Sequence, residues 1–288
     1  MKTFKNLWLA LSFLFWATLP VTAQSYGLQE LAPYVKLVSG TGLTTGHIAN
    51  LLLSNETSKD VVLTVGPYFI PSSGQYQPYI VPRSSVINLP AGHTSVIKLD
   101  GYCADVHKAA VPSSEELISI TKWVVPSATA YPKTSGWNRS DHYKVNLKQQ
   151  TGNTEYKLSY PGMDTEFIYA IDYDKYSADA ASQLLDGILR LETAYDQLYE
   201  ARMISSPYAA HPEKERAAII QQAFWIFTSQ LKEMPYTKTE FKDRMAKQYA
   251  DKTGITMEGT EVKKQVDYGA NSFWNSFIQV LKKAKIIL

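Results

Sequence analysis

Cysteine is almost absent from this chain. The 288 residues include a single cysteine, Cys103, so no internal disulfide can form. The chain also lacks a charge excess, with 29 Lys and Arg against 27 Asp and Glu, which argues against a surface dedicated to nucleic acid. Beyond the N-terminal region no apolar run reaches the roughly 18 residues of a membrane-spanning helix, so we expect no transmembrane segment in the mature chain.

The first 23 residues predict export. Lys2 and Lys5 precede an apolar run from Leu7 to Leu19, and Val21-Thr22-Ala23 offers a small-residue cleavage site. This order is typical of a secretory signal peptide, and the run is too short to favour the alternative, a retained membrane anchor. We therefore expect a secreted, periplasmic or cell-surface protein. In such compartments cysteines usually occur in pairs, so a single one requires an explanation.

The spacing of apolar residues predicts an α+β protein with two domains. Short β-branched runs between turn-rich pieces predict an antiparallel, immunoglobulin-like β-sandwich over residues 24–175. Within it, residues 50–55 and 60–65 are expected to form a hairpin. Residues 126–154 are polar and aromatic, and their apolar positions show no sustained helical or strand periodicity. This is typical of either a surface excursion or irregular strands. Residues 176–288 show the three-to-four spacing of about four helices, which we expect to pack on the sandwich as a helical domain.

Cys103 belongs to the first segment with candidate chemistry. Cys103, Asp105 and His107 lie within five residues, but no other Cys/His cluster exists to complete a zinc site, so we expect no metal and no cofactor. A cysteine protease needs a distant histidine, and neither His142 nor His211 has a supporting local signature. The simplest interpretation of Cys103 is a small buried hydrophobic residue.

The second segment is the apolar helix over residues 219–228, IIQQAFWIFT. Gln221 shares its stripe with Phe224 and Thr228, so it cannot face water without exposing part of the apolar face. A buried amide without a hydrogen bond costs about 1–3 kcal/mol, so a bond to a backbone carbonyl is one explanation for this residue. Gln222, about 100° further round the helix, is the alternative inward-facing glutamine.

Taken together, the two segments resemble bacterial surface thioester domains. Tyr102-Cys103-Ala104-Asp105 resembles their cysteine motif, in which an aromatic residue or leucine precedes Cys, a hydrophobic residue and a polar residue. Residues 220–224, IQQAF, are similar to their glutamine motif. Residues 221–225, QQAFW, follow the Gln-x-Ala-hydrophobe-Trp pattern of TQXA domains, although Ile220 stands where threonine is usual. The resemblance covers these two motifs and the β-then-helical order.

The resemblance implies an internal thioester between Cys103 and Gln221. Such a bond is an activated acyl group, which an amine on a surface protein or other partner captures as a stable amide, without enzymatic turnover. Neighbouring residues would then have supporting roles. Tyr102, Phe224 and Trp225 are the candidates to shield the bond from water. Asp105 and His107 are the candidates to polarise the site, and local turn contacts are the favoured alternative for these two.

Two other functions are compatible with the sequence. One is a non-catalytic immunoglobulin-like binding or structural module with a helical companion, in which Cys103 and Gln221 are core residues. The other is a hydrolase, whose best feature is the Trp- and Tyr-rich stretch 123–160. No pair of carboxylates in that stretch stands out as an acid and a base.

Overall fold

The computed structural model describes residues 28–126, 144–150, 153–159, 178–204, 211–230, 236–255 and 260–286. The predicted signal peptide and His142 lie outside these ranges. The strands are β1 Val35–Gly40, β2 Thr45–Ser54, β3 Val61–Val65, β4 Tyr68–Ile70, β5 Tyr79–Val81, β6 Ser85–Leu89, β7 Thr94–Cys103, β8 Lys144–Gln150 and β9 Asn153–Ser159. The helices are α1 Leu28–Leu31, α2 Ala178–Glu200, α3 Pro212–Gln230, α4 Lys238–Thr253 and α5 Thr260–Lys283.

The described residues form a mixed α+β fold, which confirms the predicted class. A curled antiparallel sheet has the strand order β1-β2-β7-β5-β4, while β3 pairs with β6 and β8 pairs with β9. The described helices number five, four of them long and within the predicted helical region, with the one-turn α1 before β1. The β-sandwich and its immunoglobulin-like arrangement both stay predictions.

The expected hairpin between residues 50–55 and 60–65 is wrong. β2 pairs with β1 and β7, whereas β3 pairs with β6. Asn55 provides the physical reason, because its buried side-chain amide donates to the carbonyl of Lys59 at 2.8 Å and to that of Leu89 at 3.0 Å. These bonds tie the end of β2 to the end of β6. The chain therefore leaves the larger sheet at Asn55 and joins the smaller pair.

Residues 126–154 were predicted to form either a surface excursion or irregular strands. The described part of this stretch contains β8 and the start of β9. β8 and β9 form an antiparallel pair in which Gln150 lies opposite Asn153. Residues 127–143 lie outside the described ranges.

Helix α3 lies in the middle of the helical region. From Ile219 to Ser229 its described side chains are buried on every side of the helix, apart from the half-buried Gln222. A helix that is buried all round belongs in a core rather than on a surface. One continuous hydrophobic core joins α3 and its helical neighbours to the sheet, so α3 can bring side chains to the strands.

Gly40, the last residue of β1, allows a close approach of two chain segments. A Cβ atom added there would clash with the backbone oxygen of Val111 and lie 2.7 Å from that of Pro112. Because backbone oxygens cannot rotate away, we expect Gly40→Ala to lower the free energy of unfolding by about 1–3 kcal/mol, measured with denaturant.

Gly269 in α5 is the matched control. A Cβ atom there would meet no heavy atom within 4 Å, so Gly269→Ala should stabilise the protein by about 0.5–1 kcal/mol. Equal effects of the two substitutions would contradict the close approach at Gly40.

Candidate functional site

Cys103 is the last residue of β7, at the end where that strand enters the core. The first five residues of β7 alternate between exposed and half-buried, and the last three are buried. The backbone N–H of Cys103 donates to the carbonyl of Thr44 at 2.8 Å, and the next N–H, of Ala104, donates to Pro78 at 2.9 Å. The main chain at Cys103 is thus held on both sides, and the residue has 0% of its surface exposed.

The sulfur of Cys103 faces a glutamine. Its thiol donates to Oε1 of Gln77 at 2.7 Å and lies 3.1 Å from the backbone oxygen of Asp105. Tyr79 of β5 lies opposite Cys103, and Gln77, two residues before Tyr79, donates from its side-chain amide to the Tyr79 hydroxyl at 2.8 Å. Gln77 is buried, and no sequence motif pointed to it.

Gln221 of α3 contacts the main chain of Cys103 with both polar atoms of its amide. Oε1 accepts from the Cys103 N–H at 2.9 Å, and Nε2 donates to the Cys103 carbonyl at 2.8 Å. The two predicted residues, 118 positions apart, are therefore brought together. Gln222 is only half-buried and accepts from the hydroxyl of Tyr236 at 2.9 Å, so Gln221 is the glutamine of this helix that reaches Cys103.

The three residues expected to shield the bond are all buried. The rings of Tyr102 and Phe224 meet edge to face with their centroids 6.4 Å apart. Trp225 meets the ring of Tyr236 at 6.0 Å, and its buried indole N–H has no hydrogen-bond partner among the described residues. Burial agrees with shielding, but a protective role stays a prediction.

The two residues expected to polarise the site lie in the loop after β7. The buried carboxylate of Asp105 accepts from the backbone N–H of His107 at 3.0 Å. Nδ1 of the His107 ring lies 3.6 Å from the carboxylate of Glu240 in α4. Asp105 reaches the sulfur through its main chain, since its N–H also donates to Sγ at 3.3 Å. Polarisation of the site by these side chains stays a prediction.

Helix α4 covers this loop. The Arg244 guanidinium donates to the backbone oxygen of Val106 at 2.8 Å and pairs with Glu240 at 3.2 Å. The same guanidinium lies over the rings of Trp225 and Tyr236, at 6.0 and 5.7 Å from their centroids. These contacts join α4, α3 and the loop that follows Cys103 into a single cover.

A buried carboxylate beside the site was not identified from the sequence. Glu192 of α2 is buried, accepts from the Tyr102 hydroxyl at 2.9 Å and pairs with Arg83 and, at 3.9 Å, with Arg216. The helical spacing could have identified it, because Glu192 lies on the same face of α2 as the buried Tyr195 three residues later. A carboxylate on an apolar face needs a charged or hydrogen-bonding partner.

Buried tyrosines surround the site in their protonated form. Burial raises the pKa of Tyr102, and the neighbouring Glu192 carboxylate raises it further. Burial also raises the pKa of Tyr79 and of Tyr236. A raised pKa means that folding favours the neutral hydroxyl. This stabilisation is complete below the unfolded tyrosine pKa of about 10 and is lost as the pH rises past it.

We therefore expect the free energy of unfolding to fall as the pH is raised above about 10. In Tyr102→Phe the fall should be shallower, because one of the hydroxyls that resist ionisation is gone. Denaturant titrations at successive alkaline pH values measure this slope. Tyr268→Phe, at a residue that is 80% exposed, is the control and should keep the original slope. Parallel curves for all three proteins would contradict the prediction.

No three or more His, Cys, Asp or Glu side chains of the described part form a group that could hold a metal ion. Within the same part of the chain, none of the helices has the length and apolar character needed to cross a membrane. No family model, curated protein or solved structure matches this chain. Its function must therefore be argued from the residues around Cys103.

Proposed function

We propose that this chain is an exported attachment protein in which Cys103 forms an internal thioester with a glutamine side chain. The observation that carries the proposal is the buried meeting of Cys103 with two glutamines: its sulfur lies 2.7 Å from Oε1 of Gln77, and its main chain bonds to the amide of Gln221. In the reaction, the sulfur attacks a side-chain carbonyl carbon, the carbon–nitrogen bond breaks and ammonia leaves. An amine on a partner later attacks the same carbon, releases the thiol and remains attached as an amide.

The surroundings of Cys103 suit such a bond. A thioester persists only where water is excluded, and Cys103, Gln77 and Gln221 each have at most 2% of their surface exposed. Burial also fixes the reacting groups relative to one another, which raises the effective concentration of the thiol. An amine reaches the thioester carbonyl carbon when the cover formed by α4, α3 and the loop after β7 moves.

The proposed partner is a surface protein or another amine-bearing molecule. The amide formed by capture is stable, so each protein molecule reacts once and no turnover follows. Secretion, or placement in the periplasm or on a cell surface, belongs to the same proposal, because attachment to a partner outside the cell requires export.

A fluorescent primary amine tests this function. The exported protein should become labelled in a form that survives denaturing electrophoresis, and Cys103→Ala should not. The acetylated form of the probe, which has no amine, is the chemical control. Labelling that persists in Cys103→Ala, or no labelling of the original protein even when mild denaturant loosens the cover, would contradict the proposal.

A second candidate function is a non-catalytic immunoglobulin-like binding or structural module. It is favoured by the position of the Gln221 amide, whose oxygen and nitrogen each bond to the Cys103 main chain. In this version the amide joins α3 to the end of β7 and Cys103 is a core residue. The module should bind its partner equally well, and without a covalent bond, when Cys103 is replaced by alanine.

A further inference from the structure

The proposed thioester has two buried glutamines as candidates for its acyl half, and we propose that Gln77 supplies it. Gln221 then acts as a positioning residue that holds the main chain of Cys103. This inference rests on the proposed function and adds to it the identity of the reacting carbonyl.

Gln77 is the glutamine in contact with the sulfur. The distance of 2.7 Å between Sγ and Oε1 is that of an O–H···O hydrogen bond, although sulfur is the larger atom. Because a C=O bond is about 1.2 Å long, the carbonyl carbon of Gln77 lies at most about 4 Å from the sulfur. A near-attack arrangement needs about 3–3.5 Å, so only a small adjustment of either side chain is required.

Gln221 is placed for a different task. Its amide bonds to the backbone N–H and C=O of Cys103, as a neighbouring strand would. Through these bonds α3 fixes the position and direction of the Cys103 backbone. The sulfur is thereby held against Gln77, while the Gln221 amide keeps both of its own bonds.

The leaving nitrogen of Gln77 also has a defined neighbour. Nε2 donates to the Tyr79 hydroxyl at 2.8 Å, and this hydroxyl accepts from the Val111 N–H at 3.1 Å and donates to the Leu43 carbonyl at 3.2 Å. The chain of bonds fixes the amide plane of Gln77. It also puts the hydroxyl of Tyr79, the residue opposite Cys103 in the β5–β7 pairing, beside the nitrogen that must depart.

The reaction balances with these groups alone. The Cys103 sulfur forms a bond to the Gln77 carbonyl carbon, and the bond between that carbon and Nε2 breaks. The departing NH₂ group takes up the thiol hydrogen and leaves as ammonia. No oxidant, reductant or metal takes part.

Peptide mapping after amine capture identifies the reacting glutamine. The exported protein is treated with methylamine in mild denaturant and digested with trypsin. Trypsin places Gln77 in residues 60–83, Gln221 in residues 217–232 and Cys103 in residues 99–108. Fragmentation of the first peptide also separates Gln77 from Gln75. We expect an N-methylamide on Gln77, an unmodified peptide 217–232 and a thiol at Cys103.

Each other outcome is informative. A methylamide on Gln221 would overturn the assignment of Gln77 and leave the proposed function standing. No methylamide on either glutamine, in a protein of full mass, would overturn both.

Variants test the two roles separately. Gln77→Ala should have the full mass expected from its sequence, because the acyl group is gone. Gln221→Ala should lose stability yet still lack one ammonia in the fraction that folds. Gln75→Ala, at an exposed position of the same loop, is the matched control and should keep the deficit. A deficit that survives in Gln77→Ala would contradict the assignment.

Discussion

Replacing Phe224 by alanine is expected to lower the free energy of unfolding by about 3–5 kcal/mol. Phe224 has 0% of its surface exposed and lies in α3, one helical turn after Gln221. Its ring centroid lies 6.4 Å from that of Tyr102 at the end of β7 and 6.1 Å from that of Phe227 in α3. The ring therefore joins the sheet to the helices, and its removal leaves a cavity between elements that cannot easily collapse.

Denaturant unfolding of Phe224→Ala measures this loss. Leu189→Ala is the control, because Leu189 is 36% exposed on α2, and its effect should stay within about 0.5 kcal/mol. If the two variants were equally stable, the packing of α3 against the end of β7 would be contradicted.

Replacing Gln221 by alanine is expected to cost about 2–4 kcal/mol, the second-largest effect. Two buried hydrogen bonds disappear, and each buried polar group left without a partner costs about 1–3 kcal/mol. The N–H of Cys103 keeps its bond to the Thr44 carbonyl, whereas the Cys103 carbonyl loses its bond from Nε2 of Gln221.

The control for this loss is an exposed glutamine. Gln197→Ala on α2 should change the free energy of unfolding by less than about 0.5 kcal/mol. A similarly small effect of Gln221→Ala would show that the amide contributes nothing to joining α3 and β7.

Much of the fold follows from local patterns. The strong three-to-four spacing after residue 176 predicted the helical region, and Pro212 marks the start of α3 as a first-turn proline should. The β-branched runs predicted the strands but not their partners. Asn55 redirects the chain after β2 through side-chain hydrogen bonds to the carbonyls of Lys59 and Leu89. The alternation of apolar residues along a strand does not predict such bonds.

The candidate site was predictable only in part. The motifs around Cys103 and Gln221 predicted a bond between the sulfur and the Gln221 side chain. In the structure the Gln221 amide bonds to the Cys103 main chain, whereas the sulfur contacts Gln77, and the thioester stays a prediction. Gln77 could not be found in the same way, because it lies in a turn-rich stretch before the three-residue strand β5. Its contact with the sulfur depends on the pairing of β5 with β7, a long-range register that composition and spacing do not specify.

The intact mass of the mature protein decides whether the internal bond exists. Measured after denaturation without reducing agent or amines, it should be one ammonia lower than the sequence mass. Cys103→Ala should show the full mass expected from its own sequence. A full mass for the original protein, together with a Cys103 thiol that iodoacetamide labels once the chain is unfolded, would contradict the thioester and leave Cys103 as a buried core residue.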